Sequence, residues 1–93
     1  MKVYIAGPIS NNPEFKNQFK EVENKLKEIG KIVLNPATLP AGLSQQEYMS
    51  ICIPMLYCCD TIYLLKGWEN SLGANIEKQL AEQAGMTVMY QEY

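Results

Sequence analysis

Strand-like and helix-like segments alternate along this chain from end to end, and that alternation limits the possible fold more than any other feature. Residues 2–6 (K-V-Y-I-A) form a short apolar run of the strand type, closed by Gly7 and Pro8. Asn12, Pro13 and Glu14 then read as the cap, first position and first turn of a helix. Its buried stripe is Phe15, Phe19, Val22, Leu26 and Ile29, at spacings of four and three, and Gly30 ends it. Residues 31–34 make a second strand before Asn35 and Pro36. Ser44 and Glu47 have the spacing of a capping box, which opens a second helix running toward Cys58 with a kink expected at Pro54. Residues 61–65 form a third strand, 72–84 a third helix closed by Gly85, and 87–90 a fourth strand.

The order β-α-β-α-β-α-β, without repeats or linkers, predicts one α/β domain over residues 1–93. The expected architecture is a small, doubly wound, four-stranded parallel sheet with helices on both faces, Rossmann-like or flavodoxin-like in plan. Such sheets take ligands beyond the carboxyl ends of their strands, where the strand order reverses. That points to the loops after the first and third strands, residues 7–12 and 66–71.

Composition narrows the chemistry. The net charge is −2 and no basic cluster is present, so duplex nucleic acid is not an expected partner. No apolar stretch approaches the roughly 20 residues of a membrane span, and the N-terminus lacks a signal-peptide pattern. A soluble, cytoplasmic protein is the expectation. Histidine is absent, which removes Ser-His and Cys-His pairs and the commonest metal ligand. Cys52, Cys58 and Cys59 have neither disulfide nor zinc spacing and read as reduced thiols, mostly core. No metal and no cofactor are expected.

One residue is out of place. At about 100° per residue, Leu72, Gly73, Ala74, Ile76, Leu80, Ala81 and Ala84 share one arc of the third helix, and Glu77 falls in the middle of it. A carboxylate there is costly unless it is paired or faces a cavity. Two readings stand side by side: a Glu that snorkels or bonds a buried Tyr such as Tyr4, or a Glu on a ligand pocket, where a glycosyl nucleophile would sit.

Y-I-A-G-P at Tyr4 to Pro8, C-D-T-I-Y-L-L at Cys59 to Leu65 and S-L-G-A-N-I-E-K-Q-L-A at Ser71 to Ala81 resemble the nucleoside 2-deoxyribosyltransferases. They are also similar to the related 2'-deoxynucleoside 5'-phosphate N-hydrolases and their small relatives. The resemblance assigns Glu77 the attack on the anomeric carbon of deoxyribose, with Tyr4 orienting it. The switch-point loop and the small residue beside Glu77 make Gly7, Pro8, Ile9, Ser10, Asn11 and Gly73 candidates to surround the ligand. Family members that accept phosphate carry Ser at the position of Ser71, which implies a phosphorylated ligand. A hydroxyl at a helix N-terminus suits an anion as well as it caps a helix. The family's second carboxylate, which assists the leaving base, falls at Cys52, a weak donor. The first loop lacks the hydrolases' Arg, leaving Lys16 as the nearby cation. Trp68 is a candidate to stack on a base.

Retention of a phosphorylated nucleotide with little turnover is therefore the favoured expectation, an ADP-ribose-type signalling nucleotide being one such ligand. The alternative is an N-glycosidic hydrolase or deoxyribosyltransferase acting through Glu77, for which Tyr48, one turn from Cys52, would be the substitute acid. The second helix is apolar almost all round (Ile51, Cys52, Ile53, Met55, Leu56, Tyr57, Cys58, Cys59). Such a helix needs cover on every side, so a homodimer or larger assembly is expected, with the pocket near the subunit interface.

Overall fold

The computed structural model describes residues 1–91. Four strands, β1 (Lys2–Ala6), β2 (Ile32–Leu34), β3 (Thr61–Leu64) and β4 (Thr87–Tyr90), alternate with three helices, α1 (Phe15–Glu28), α2 (Gln45–Tyr57) and α3 (Leu72–Gln83). The strands make one sheet in the order β2-β1-β3-β4, with every pair parallel. The doubly wound α/β arrangement expected from the alternation is the one observed.

Alternate residues of β1 point to opposite faces, as a period of two requires. Val3 and Ile5 pack with Phe19, Val22 and Leu26 of α1. Tyr4 and Ala6 pack with Ile62, Leu64, Cys52 and Leu56, under α2 and α3. Helices thus cover both faces. The chain winds outward from β1 to β2, crosses back over β1, and continues through β3 to β4. The reversal lies between β1 and β3, where the two following loops diverge and leave a crevice.

Several local details differ from expectation. Helix α1 begins at Phe15 rather than Pro13, and Glu14 caps it without a side-chain bond. Asn12 donates its side-chain amide to the Pro8 carbonyl at 2.9 Å and to Gln18 of α1 at 2.9 Å, while its Oδ1 accepts the Glu14 N–H at 3.3 Å in the manner of a cap. Ile29 lies past the helix end and is exposed. Two short 3-10 turns, Pro36–Thr38 and Trp68–Asn70, follow β2 and β3. Leu65 falls outside β3 but still donates its N–H to the Ala6 carbonyl at 2.8 Å.

The Ser44–Glu47 capping box is present in both directions, at 2.8 and 3.1 Å. Helix α2 continues through Pro54, one turn from its end. It buries Cys52 and Leu56, yet Ile51 and Tyr57 stay 39% and 52% exposed, so an apolar side of α2 faces outward in the single chain. Among the described residues no helix is long and apolar enough to cross a membrane.

Candidate functional site

Two glycines allow the loops at the switch point to close on each other. A Cβ on Gly7 would stand 2.8 Å from the Leu65 Cβ, so only glycine lets the first loop cross the end of β3. Gly67 has φ +87°, the left-handed region, and a Cβ on it would stand 3.3 Å from the ring of Pro8. The loop after β3 is then held from α3: the Asn75 amide donates to the carbonyls of Trp68, Glu69 and Ser71 at 3.3, 3.0 and 2.8 Å. Ser71 caps α3 by accepting the Ala74 N–H at 3.2 Å.

Between these loops, the N-terminal turns of the three helices and residues 39–43 lies a cavity of about 590 Å³, within the ordinary range for a small-molecule site. Its lining combines apolar side chains, among them Phe15, Leu39, Pro40, Leu43, Tyr48 and Met49, with the polar Ser10, Asn70 and Ser71 and the first turn of α3. Only two side chains on the lining carry full charges at the extremes of pH met in a cell: Lys16 at the start of α1 and Glu77 on α3.

Glu77 is 6% exposed and accepts the Tyr4 hydroxyl at 2.5 Å. Glu77 thus both bonds the buried Tyr4 and lines the cavity. Burial raises its carboxyl to about 7, and the Tyr4 bond only partly offsets that rise. Burial and the neighbouring Glu77 push the Tyr4 hydroxyl far above its usual range, so it stays a donor. Tyr48 is pushed up to about 12, chiefly by burial, and its hydroxyl donates to the Pro36 carbonyl at 2.7 Å.

Of the residues singled out in the sequence, Tyr4, Gly7, Pro8, Ile9, Ser10, Ser71, Gly73 and Glu77 line the cavity. Lys16 lines it too. Three others lie off the lining. Cys52 is completely buried beside Tyr4, and burial raises its thiol to about 11. Asn11 is exposed at a turn with φ +58°. Trp68 is carried by its 3-10 turn toward β4, where it packs on Tyr90 at 5.9 Å under the Lys78 ammonium at 5.5 Å. Trp68 is therefore not among the residues that line this cavity. Asp60 sits at the far edge of the sheet, binding the Lys2 N–H at 3.1 Å and Thr61 at 2.8 Å.

Residues 39–43, Phe15, Gln45 and Met49 were not legible as pocket residues. The capping box locates the start of α2, but nothing local shows that this start faces the α3 N-terminus. In the structure, a Cβ on Gly73 would meet Met49 at 3.5 Å and Gln45 at 3.6 Å, which sets how close the two helix starts lie. Glu77 is the one carboxylate on the lining, so a divalent cation would find a single anionic ligand there.

A family model described as Domain of unknown function (DUF4406) matches residues 1–90. No curated protein sequence matches the chain. Among solved structures, the fold is similar to that of the 2-desoxiribosyltransferase from Leishmania mexicana, at 21% identity and a TM-score of 0.76. The similarity covers 96% of this chain and 62% of that one, so this chain spans less than two thirds of that protein's length. The architecture is nucleoside 2-deoxyribosyltransferase-like.

Proposed function

The chain belongs to the DUF4406 family, and from its deoxyribosyltransferase-like fold and the cavity at the β1–β3 switch point we propose that it holds a phosphorylated nucleotide with little turnover. The observation that carries this reading is the mixed lining of the cavity. Apolar side chains suited to a base and sugar line it together with the Ser71 hydroxyl and the start of α3, and Lys16 supplies the cation. Helix starts, hydroxyls and an ammonium together favour a phosphate. An ADP-ribose-type nucleotide belongs to the same chemical class.

Little turnover follows from the proton inventory. Leaving bases need an acid, and the lining offers no carboxylate besides Glu77. Cys52 is walled off, and Tyr48 has its proton committed to Pro36. The competing reading, glycosidic cleavage through Glu77, draws on the Tyr4 bond that would aim the carboxylate. Incubation with 2'-deoxynucleoside 5'-monophosphates separates the two. Retention is expected to deplete the nucleotide from solution and return it unchanged after heat denaturation. Catalytic release of free base would overturn the binding reading.

The outward apolar side of α2, with Ile51 and Tyr57, supports a homodimer or larger assembly. Because the start of α2 lines the cavity, a second copy seated on this helix would lie near the pocket. Light scattering at micromolar concentration should return more than a monomer mass; a monomer removes this part of the proposal.

A further inference from the structure

Glu77 is short of hydrogen-bond donors for a buried carboxylate. An ionised carboxylate only accepts, at two oxygens with about four lone-pair sites. In the interior it survives as an anion when a cation or several donors surround it. Each element packed around Glu77 can be searched for them. From β1 comes Tyr4, whose single proton goes to Oε2. From α2 come Cys52 and Tyr48, a thiol raised to about 11 and a hydroxyl that already donates to Pro36. On α3 itself the neighbours are Gly73, Ala74 and Ala81. Lys78, the next residue, turns outward to Glu82 at 2.9 Å and to Trp68. The one lining cation, Lys16, belongs to α1, and no cation contributes to the titration of Glu77.

The second oxygen, Oε1, has no protein donor among the described residues, yet no buried side-chain oxygen or nitrogen there goes unpaired. Oε1 is therefore open to the cavity. A proton on that oxygen removes the uncompensated charge, keeps the Tyr4 bond on Oε2 and turns Oε1–H into a donor aimed at the ligand.

Resting on the nucleotide reading above, we infer that Glu77 meets its ligand as a neutral carboxylic acid, donating a hydrogen bond from Oε1 to an acceptor oxygen of the sugar, and that binding draws a proton from solvent. No bond in the ligand breaks: a solvent proton adds to Oε1, and the carboxyl becomes a specificity element for an ether or hydroxyl oxygen. A neutral carboxyl is also a poor nucleophile, which fits retention without cleavage. The raised carboxyl accords with this, and an incoming phosphate, being negative, raises it further.

Two measurements on the whole chain test the inference separately from the nucleotide reading. The first needs no ligand. Difference infrared spectra between pH 5.5 and 8.5 should contain a protonated-carboxyl band that titrates near neutrality and is missing in Glu77→Gln. Tyr4→Phe should move its midpoint upward, because the Tyr4 bond holds the carboxyl down. A Glu77 that titrates in the ordinary carboxylate range overturns the inference, whatever binds.

The second is calorimetric titration of 2'-deoxyadenosine 5'-monophosphate at pH 7.5 in buffers of different ionisation enthalpy. Uptake of about 0.7 proton per site is expected for a group half-titrated at neutrality that binds protonated. Above pH 8, where the phosphate is already dianionic, Kd should rise about tenfold per pH unit. Glu77→Gln should bind with no proton exchange and no such slope. Binding of the nucleotide to the parent chain without proton exchange would overturn the coupling. If the nucleotide fails to bind while the infrared midpoint lies near neutrality, the nucleotide reading falls and the carboxylic-acid assignment stands.

Discussion

Two carboxylates of this protein have nearly the same solvent exposure and behave in opposite ways. Glu23 on α1 is 7% exposed and Glu77 on α3 is 6% exposed. Glu23 is met by the Lys27 ammonium at 2.6 Å, by the Asn35 amide at 3.0 Å and more distantly by Lys20 at 3.8 Å. The bonds from Lys27 and Asn35 hold its carboxyl below the usual range, against burial. Glu77 has one neutral donor, and burial wins. Exposure alone therefore does not decide the charge: Glu77 lies deep, where desolvation outweighs a single neutral donor, whereas Glu23 lies near the surface, where its partners outweigh desolvation. Their roles differ accordingly. Asn35 also accepts the Ala37 N–H at 2.8 Å, so Glu23 anchors the turn whose Pro36 carbonyl holds Tyr48 on the cavity wall. Glu23 supports the site from behind, whereas Glu77 faces what enters it.

The contrast can be broken most severely by adding a second unpaired carboxylate beside the first. Cys52 is fully buried next to Tyr4 and Glu77, so Cys52→Asp should destabilise the fold by about 4 kcal/mol at pH 7. The loss should shrink at pH 5, where the new carboxyl is neutral. Urea unfolding at the two pH values measures both parts, and a stable variant at pH 7 would show that the pocket floor admits charge.

Removing the existing unpaired charge should do the reverse. A carboxyl raised in the folded state contributes stability fully present below its unfolded value near 4.5 and lost as pH rises to about 7. Glu77→Gln should therefore be more stable than the parent by about 3 kcal/mol at pH 8 and equal to it near pH 4. A parallel pair of pH–stability curves would contradict the raised carboxyl.

Glu23 carries the opposite sign. Its lowered carboxyl stabilises the fold above the ordinary range near 4.5, and that contribution is lost as pH falls through the lower folded value. Glu23→Gln should cost about 1.5 kcal/mol at pH 7 and little at pH 2, by chemical denaturation. The smallest effect sharpens the comparison from inside the Glu23 cluster. Lys20 is 63% exposed and the farther of the two cations, so Lys20→Ala should change stability by less than about 0.5 kcal/mol. A larger change would mean that long-range charge, rather than contact with Lys27 and Asn35, governs Glu23.

Much of the architecture was legible because it is written in local periodicity and punctuation. The apolar stripe at Phe19, Val22 and Leu26 and the box at Ser44 and Glu47 need only neighbours a few residues away. Glu77 stood out for the same reason, since a helix wheel reports an angle about one axis. Glu23 did not stand out, although it is as little exposed, because its place beside the stripe is settled by Asn35, twelve residues away in another element. Trp68 and Cys52 were read as pocket residues from their place in the chain. One is swung toward β4 by a 3-10 turn, and the other is fully buried beside Tyr4.

By itself, the sequence determined the alternating elements, the parallel doubly wound plan, the two loops at the switch point and one carboxylate on the wrong face of its helix. Periodicity and turn chemistry act over a few residues, so those features follow from short-range sterics and burial. The tertiary structure alone decided that Tyr4 is the single donor to Glu77, that residues 39–43 wall the cavity, and that Lys16 reaches its lining. Those are distances between elements far apart in the chain. They depend on strand order and on how closely glycines such as Gly7 and Gly73 let neighbouring segments approach, which no local pattern encodes.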